Sequence, residues 1–290
     1  MKILVTGSEG FIGLNLVKFF LKKKINIYGI GLRKKRSKIN YKYYRINLRN
    51  FKKNNLKFFK KINVVIHCAG ITSHSEIVNS KNFTKKSLLI AKNILNIFFK
   101  IKANHFIFLS SGKVYADMQS KKININSPKI PKNKLGKAKL KIENLIQKKF
   151  KGKKDKKFSI FRIFQVYGKD QKKMLIFEIL KQIFNIKKSK KNEIKLGDLS
   201  IKRDFIYIDD VVKIIGNSAL DKKNIKNQIK NIASGYSLTP KYIARKLLDK
   251  NNLNSKIISI ASKKRKDESK IESVQVQSKT RHFKDCVKFL

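Results

Sequence analysis

The 290-residue sequence predicts an α/β fold, a doubly wound parallel sheet with a small, closely joined C-terminal region. Three observations carry this prediction. Short runs rich in β-branched and aromatic residues are continuously apolar instead of alternating, as in parallel strands covered on both faces. Helical patterns with one apolar face lie between these runs. Three glycines at three-residue spacing follow the first run and open the first helical pattern.

Taken in order, the first strand is expected at Ile3 to Thr6, and Ile12, Leu16, Phe19 and Phe20 share one face of the helix that follows. A second strand is expected at Ile25 to Ile30 and a third at Val64 to His67. A helix comes next, with Leu88, Ala91, Leu95 and Phe98 on one face. Further strands are expected at Phe106 to Ser110 and Ser159 to Phe164, the latter entered through a lysine-rich, solvated turn at Phe150 to Lys157. Strands alternating with helices imply a doubly wound sheet. The only prolines are Pro128, Pro131 and Pro240, and no long Gly/Ser or Pro linker or internal repeat is visible. A second region must therefore be joined closely to the first, from about Gly168 onward.

Hydrophobic residues at 41% and aromatics at 10% exclude a wholly disordered chain, and the length supports a sizeable core without disulfides or metals. Cys68 and Cys286 are too few for a disulfide framework and lack zinc-ligand spacing, so no metal is expected and a reducing, cytoplasmic setting is the default. The run Ile3, Leu4, Val5 is broken at once by Thr6 and Gly7, which argues against an export signal, and no apolar stretch suggests a membrane span. The net charge of +53 invites a nucleic-acid reading, but nine of the 71 basic residues are arginine and the lysines are spread over nearly every element. Weak, salt-sensitive polyanion binding is expected, and no specific nucleic acid.

The strongest motif is Val5-Thr6-Gly7-Ser8-Glu9-Gly10-Phe11-Ile12-Gly13. Glycines at these places permit a tight turn, close approach of the backbone to a pyrophosphate, and packing of helix against strand, while the helix N-terminus offers N–H groups and positive dipole. This is the dinucleotide loop of a Rossmann domain. An NAD site usually places a carboxylate at the end of the second strand. Here that place is Gly31, followed by Leu32, Arg33, Lys34, Lys35 and Arg36. With no carboxylate there to repel a 2′-phosphate and Arg33 close by, NADP is expected over NAD.

The loop and several later segments resemble the extended short-chain dehydrogenase/reductase family of nucleotide-sugar epimerases, dehydratases and reductases. Thr6-Gly7-x-x-Gly10-Phe11-Ile12-Gly13 is similar to its fingerprint, Asn47-Leu48 stands at its Asp-Leu near adenine, and Val65 to Gly70, with Ala69 and Gly70, resembles the strand running beside the cofactor. Phe106 to Tyr115 resembles the strand carrying the active-site Ser or Thr, which falls on Ser111. Arg162 to Gly168 places Gln165 where the family commonly has a substrate-facing Asn. Arg203-Asp204-Phe205-Ile206-Tyr207-Ile208-Asp209-Asp210 is a close match to the segment that returns to the core, whose Arg contacts substrate phosphates. Asn231-Ile232-Ala233-Ser234-Gly235 is similar to a later strand and turn. The resemblance implies a Rossmann domain over 1–168 and a substrate-binding region over 169–290, with about 201–216 and 229–234 returning to the Rossmann core. It also implies a nucleotide-sugar substrate, a homodimer formed through helices flanking the active site, and Arg203 and Arg265 as diphosphate clamps. The chain ends soon after Lys279-Thr280-Arg281, early for the family, from which a reduced or partner-completed pocket is expected.

The family's Tyr-x-x-x-Lys pair reads Leu135-Gly136-Lys137-Ala138-Lys139 here. The lysine is present and would hold the cofactor ribose; the tyrosine is absent, and Leu135 suits a core-facing role. Losing a general acid/base typically removes about 10²- to 10⁴-fold in rate. Two functions are therefore expected as alternatives. One is an NAD(P)-dependent nucleotide-sugar epimerase or 4-keto reductase using Ser111 and Lys139, with Lys113 as a substitute proton carrier. The other is a catalytically impaired protein that still binds cofactor and nucleotide sugar. Gly112-Lys113 stands where dehydratases commonly have Asp-Glu, which argues against dehydration, and Glu143 is expected on the helix exterior.

Overall fold

The computed structural model describes residues 1–51, 56, 59, 61–71, 74–118, 122–188, 192–263, 272–276 and 280–290, with backbone only at 74–76. In chain order the elements are β1 (Lys2–Thr6), α1 (Phe11–Lys22), β2 (Asn26–Gly31), β3 (Lys42–Arg45), β4 (Val64–His67), α2 (His74–Asn79), α3 (Phe83–Lys100), β5 (His105–Ser111), α4 (Lys134–Phe150) and β6 (Lys157–Ile163). They continue with β7 (Gln165–Tyr167), α5 (Leu175–Lys188), β8 (Glu193–Leu196), β9 (Arg203–Tyr207), α6 (Ile208–Leu220), β10 (Gln228–Ile232), β11 (Ser237–Leu238), α7 (Pro240–Lys250), β12 (Lys256–Ser259) and α8 (Phe283–Cys286). The chain forms two compact units: residues 1–114, 133–163 and 211–231, and residues 115–132, 164–210 and 232–290. The segments 201–216 and 229–234 are each divided between the units, at Asp210/Val211 and Asn231/Ile232.

The first unit is built on a seven-stranded sheet in the order β10-β6-β5-β4-β1-β2-β3. The contacts from β6 through β3 are all parallel, and β1 lies between β2 and β4 with Val5 opposite Gly29 and Ile66. The doubly wound fold class is borne out, and the five expected strands form where the continuously apolar runs lie. The short edge strand β3, which has no such run, was not foreseen. Leu16, Val17 and Phe20 bury one face of α1, and Ala91, Ile94, Leu95 and Phe98 bury one face of α3. Phe98, Phe106 and Phe150 pack edge-on or tilted at centroid separations of 5.3 to 6.3 Å, knitting α3, β5 and the end of α4 together. Phe150 is therefore core, and the solvated turn begins one residue later than the lysine run suggested. Helix α4 starts where the Asn133 side chain accepts the Gly136 N–H at 2.9 Å, an N-cap that satisfies one of the first-turn donors.

A buried ion pair fastens α4 to the sheet. Glu143 is fully buried and accepts hydrogen bonds from the Arg162 guanidinium, at 2.7 Å from Nη2 and 3.1 Å from Nε, and from the Ser110 hydroxyl at 2.5 Å. The expectation that Glu143 faces solvent is corrected. Arg162 stands near the C-terminal end of the buried strand β6 opposite Ser110 of β5, and burial of its charge demands a carboxylate partner.

The second unit holds a three-stranded sheet, β11-β9-β7, and a parallel pair of β12 with β8. Asp204, on β9, receives the N–H groups of Ser234 and Gly235 at 2.6 and 2.7 Å and so fixes the turn before β11. The Arg281 guanidinium lies over the Tyr207 ring and pairs with Asp210 at 2.9 Å, tying the C-terminal segment to the start of α6.

Candidate functional site

The glycine turn joins β1 to α1 in the first unit. Gly7 sits at φ +67°, and a Cβ there would come within 2.9 Å of the Ala69 backbone, while a Cβ at Gly13 would run into the Gly7 carbonyl. Only glycine fits this packing of helix against strand. Gly10 is the N-cap of α1 and no side chain caps the helix, so the first-turn N–H groups at Phe11, Ile12 and Gly13 have no side-chain acceptor. A turn that is exposed at Gly10, with uncapped N–H groups and no Cβ in the way, suits the pyrophosphate of a dinucleotide.

Around this turn the structure brings together the ends of β4 and β5. Thr6 Oγ1 accepts the Ala69 N–H at 3.2 Å and lies 2.8 Å from Nδ1 of His67. Burial lowers the His67 pKa to about 3, with the Lys139 charge acting in the same direction, so the imidazole is neutral at physiological pH. Gly70 is exposed, with open space where a side chain would be. Asn47 caps a short 3₁₀ turn by accepting the Arg49 N–H, while the Leu48 side chain is committed to the core.

Ser111 ends β5, and its Oγ accepts the Lys113 N–H at 3.2 Å, which leaves the hydroxyl proton available to donate. Lys139, from α4, donates to the Leu109 carbonyl at 2.6 Å and lies over the Phe108 ring, so its ammonium is held against the strand that carries Ser111. Burial lowers the Lys139 pKa to about 8, against the raising influence of Cys68 and Glu143; the Cys68 thiol is itself pushed up to about 12 by burial. Lys113 is half-buried in the turn after β5. Leu135, one turn before Lys139, packs with Ile71 against Ile77, Phe83 and Ala138, as its spacing implied.

Gln165 and Arg203 belong to the second unit, on neighbouring strands β7 and β9. Gln165 is half-buried. Arg203 is buried, donates to the Lys202 carbonyl at 2.9 Å, and lies 3.6 Å from the Glu272 carboxylate. Arg265 lies outside the described residues.

Sequence reasoning missed Glu9. Its carboxylate accepts the backbone N–H groups of Arg36 and Ser37, each at 2.8 Å, the Ser37 hydroxyl at 2.7 Å, and the Tyr41 hydroxyl. Burial opposes ionisation of Glu9, but the hydrogen bonds from Tyr41, Ser37 and Arg36 outweigh it and hold its pKa below the usual carboxylate value. Arg33 and Arg36 both have exposed side chains. A carboxylate thus does stand beside the segment after β2, although none is encoded at its end. A signal existed in the glutamate within the glycine turn, but its partners lie 27 to 32 residues onward.

The chain and its fold are similar to those of known proteins. The family model described as NAD dependent epimerase/dehydratase family matches residues 3–233. A dTDP-D-glucose 4,6-dehydratase of Dictyostelium discoideum is 28% identical over 274 residues, 85% of this chain, which spans 61% of that relative's length. An ADP-L-glycero-D-manno-heptose-6-epimerase of Brachyspira hyodysenteriae is 29% identical over 84% of this chain and 80% of its own. The crystal structure of UDP-glucuronic acid 4-epimerase from Bacillus cereus, in complex with UDP-glucuronic acid and NAD, superposes with a TM-score of 0.86 at 25% identity, covering 100% of this chain and 97% of that one.

Proposed function

Because the chain belongs to the NAD dependent epimerase/dehydratase family, a family of enzymes, we propose that it epimerises a nucleotide sugar or reduces its 4-keto form, with hydride transfer at a sugar carbon. The observation that carries this reading is the ammonium of Lys139 held against β5, the strand that ends in Ser111, in the same unit as the glycine turn. The cofactor, a nicotinamide dinucleotide, supplies the hydride acceptor or donor. Gly7, Gly10, Phe11, Ile12 and Gly13 would hold its pyrophosphate; Arg33, Asn47, Leu48, Ala69 and Gly70 would bound its adenosine and ribose portions, and Lys139 would hold a ribose hydroxyl. The Ser111 hydroxyl would donate to the reacting sugar oxygen, and Gln165, Arg203 and Arg265 would contact the substrate. Gly112 and Lys113, in place of the acidic pair of dehydratases, favour epimerisation or reduction over dehydration. We place the enzyme in the cytoplasm as a homodimer, in line with its free cysteines and the habit of the family. Among the described residues no helix is long and apolar enough to cross a membrane.

A second reading, a binding protein with impaired catalysis, is favoured by one observation: Leu135 fills an apolar cluster where the family's phenol would stand. The two readings separate when purified protein, supplied with NAD or NADP, is incubated with UDP-glucose, UDP-glucuronic acid, dTDP-glucose and an ADP-heptose and the sugars are resolved by chromatography. Conversion of any one supports the enzyme. Cofactor and sugar binding without conversion supports the second reading, and binding of neither refutes both.

Polyanion binding is expected to be incidental to the lysine content. Affinity for duplex DNA should be weak, fall steeply with salt and show no sequence preference. A specific over non-specific ratio above about 10³ at physiological salt would overturn this.

A further inference from the structure

We propose that Glu9, delivered by the glycine turn, sets the cofactor choice of this enzyme toward NAD by filling the anion site that a 2′-phosphate would need. The proposal rests on the nicotinamide-dinucleotide reading above. It reverses the order expected from Gly31 and Arg33.

The segment after β2 presents two consecutive backbone N–H groups, Arg36 and Ser37, together with the hydroxyls of Ser37 and Tyr41. Consecutive N–H groups joined by hydroxyls form a nest of the kind that binds phosphate oxygens. In this protein the nest already holds an anion. Arg36 and Ser37 donate to Oε2 of Glu9, and Ser37 Oγ and Tyr41 OH donate to Oε1, so the roughly four lone-pair sites of a carboxylate are all used. No donor in the nest is left for a second anion, and any phosphate arriving there would meet a fixed negative charge.

Position links this nest to the ribose. In dinucleotide folds the first turn serves the pyrophosphate, and the segment at the end of the second strand serves the 2′ position. Glu9 belongs to the first place and its donors to the second. At Gly31, where a carboxylate would ordinarily be encoded, the Tyr43 hydroxyl takes up the space beside the Cα while donating to the Arg33 carbonyl at 2.5 Å. The carboxylate of this site therefore comes from the glycine turn.

The opposing groups are Arg33 and Arg36, whose side chains are exposed, and Lys35, whose ammonium lies 4.5 Å from the centre of the Tyr41 ring and donates to the Ile39 carbonyl. Ion pairs formed by long, solvent-exposed side chains contribute little. A carboxylate fixed by four hydrogen bonds and partly shielded from water keeps more of its repulsion, since like charges placed together cost several-fold more than such pairs return. The carboxylate sits within the nest itself, whereas Arg33 and Arg36 are exposed and Lys35 is turned to the Ile39 carbonyl, so a ribose hydroxyl, being neutral, is tolerated where a phosphate is not.

The test is calorimetric titration of the full-length protein with NAD and with NADP at physiological salt, where charges more than about 8 Å apart are largely screened. Wild type should bind NAD about tenfold or more tightly than NADP. Glu9→Gln, which keeps the side-chain length but removes the charge, should tighten NADP by about tenfold while leaving NAD within about threefold. If Glu9 only braces the loop, the variant should weaken both cofactors in parallel and leave their ratio unchanged, which would overturn the proposal. Tighter binding of NADP by wild type would overturn it without any variant, so a Glu9→Gln protein that failed to fold would not shelter it. Binding of both cofactors without preference would remove the proposal and leave the nicotinamide reading standing; binding of neither would remove both.

Discussion

Glu143→Leu is expected to destabilise the protein by about 3–5 kcal/mol, because it strands a buried guanidinium without its carboxylate. Arg162 is 2% exposed and Glu143 is fully buried, so water cannot take over the lost hydrogen bonds without opening the contact between α4 and the sheet. The Ser110 hydroxyl also loses its acceptor. Urea unfolding followed by circular dichroism measures the loss as a shift of midpoint at unchanged slope. The double variant Glu143→Leu, Arg162→Met should recover most of it, since an apolar pair of similar volume replaces a buried ion pair at little cost. A strong positive coupling in the double-mutant cycle would establish that the two side chains act as one unit. A single-variant loss below about 1 kcal/mol would mean that the pair is solvated in solution and contributes as a surface pair does.

That ion pair also marks the boundary of what the sequence can tell. The parallel sheet was legible because β1, β4, β5 and β6 are buried on both faces, and burial on both faces leaves a continuous apolar run that needs no partner to be read. The glycine turn was legible because its constraint is local: Gly7 and Gly13 are excluded from carrying a side chain by backbone a few residues away or on the adjacent strand. Glu143 and Glu9 were not, because each is defined by donors distant in sequence, on β6 for one and after β2 for the other. Arg162 was the available clue to the first, since a charged residue within Phe158-Ser159-Ile160-Phe161-Arg162-Ile163 cannot be buried without a counter-charge. Glu143, four residues after Lys139 on the same helix, lies on the face turned toward the sheet. The approach of Arg203 to Glu272 belongs to the same class, as does the filling of Gly31 by Tyr43. Local chemistry thus points to the turn and the lysine of the candidate site, whereas the places of Glu9 and Glu143 require the fold.

Leu135→Tyr is expected to raise the rate of hydride transfer by about 10²-fold or more on a substrate that the protein binds, because it restores a proton carrier beside Lys139. Residues 135 and 139 lie four apart on α4 and so share a face, and the Lys139 ammonium is already held against β5 by the Leu109 carbonyl. A phenol introduced there would meet a nearby positive charge, which favours phenolate and brings its pKa down from about 10. The competing effect is steric. Leu135 packs against Ile77, Phe83 and Ala138, and exchanging its branched side chain for a ring is expected to cost about 1–3 kcal/mol where the cluster cannot yield. Leu135 is only half-buried, so the ring has a route toward solvent, and the cost should fall at the lower end of that range. Rate, unfolding midpoint and cofactor affinity must therefore be measured together, with Leu135→Phe as the variant that brings the ring without the hydroxyl. A gain in Leu135→Tyr that is absent from Leu135→Phe, with a new ionisation in the pH–rate profile between about 6 and 10, would assign the proton to the phenol. Should wild type turn over rapidly and Leu135→Tyr more slowly, with folding and cofactor affinity equal, proton transfer must already reside elsewhere. Lys113→Met would then be expected to abolish it, since Lys113 follows Ser111 in the turn that closes β5.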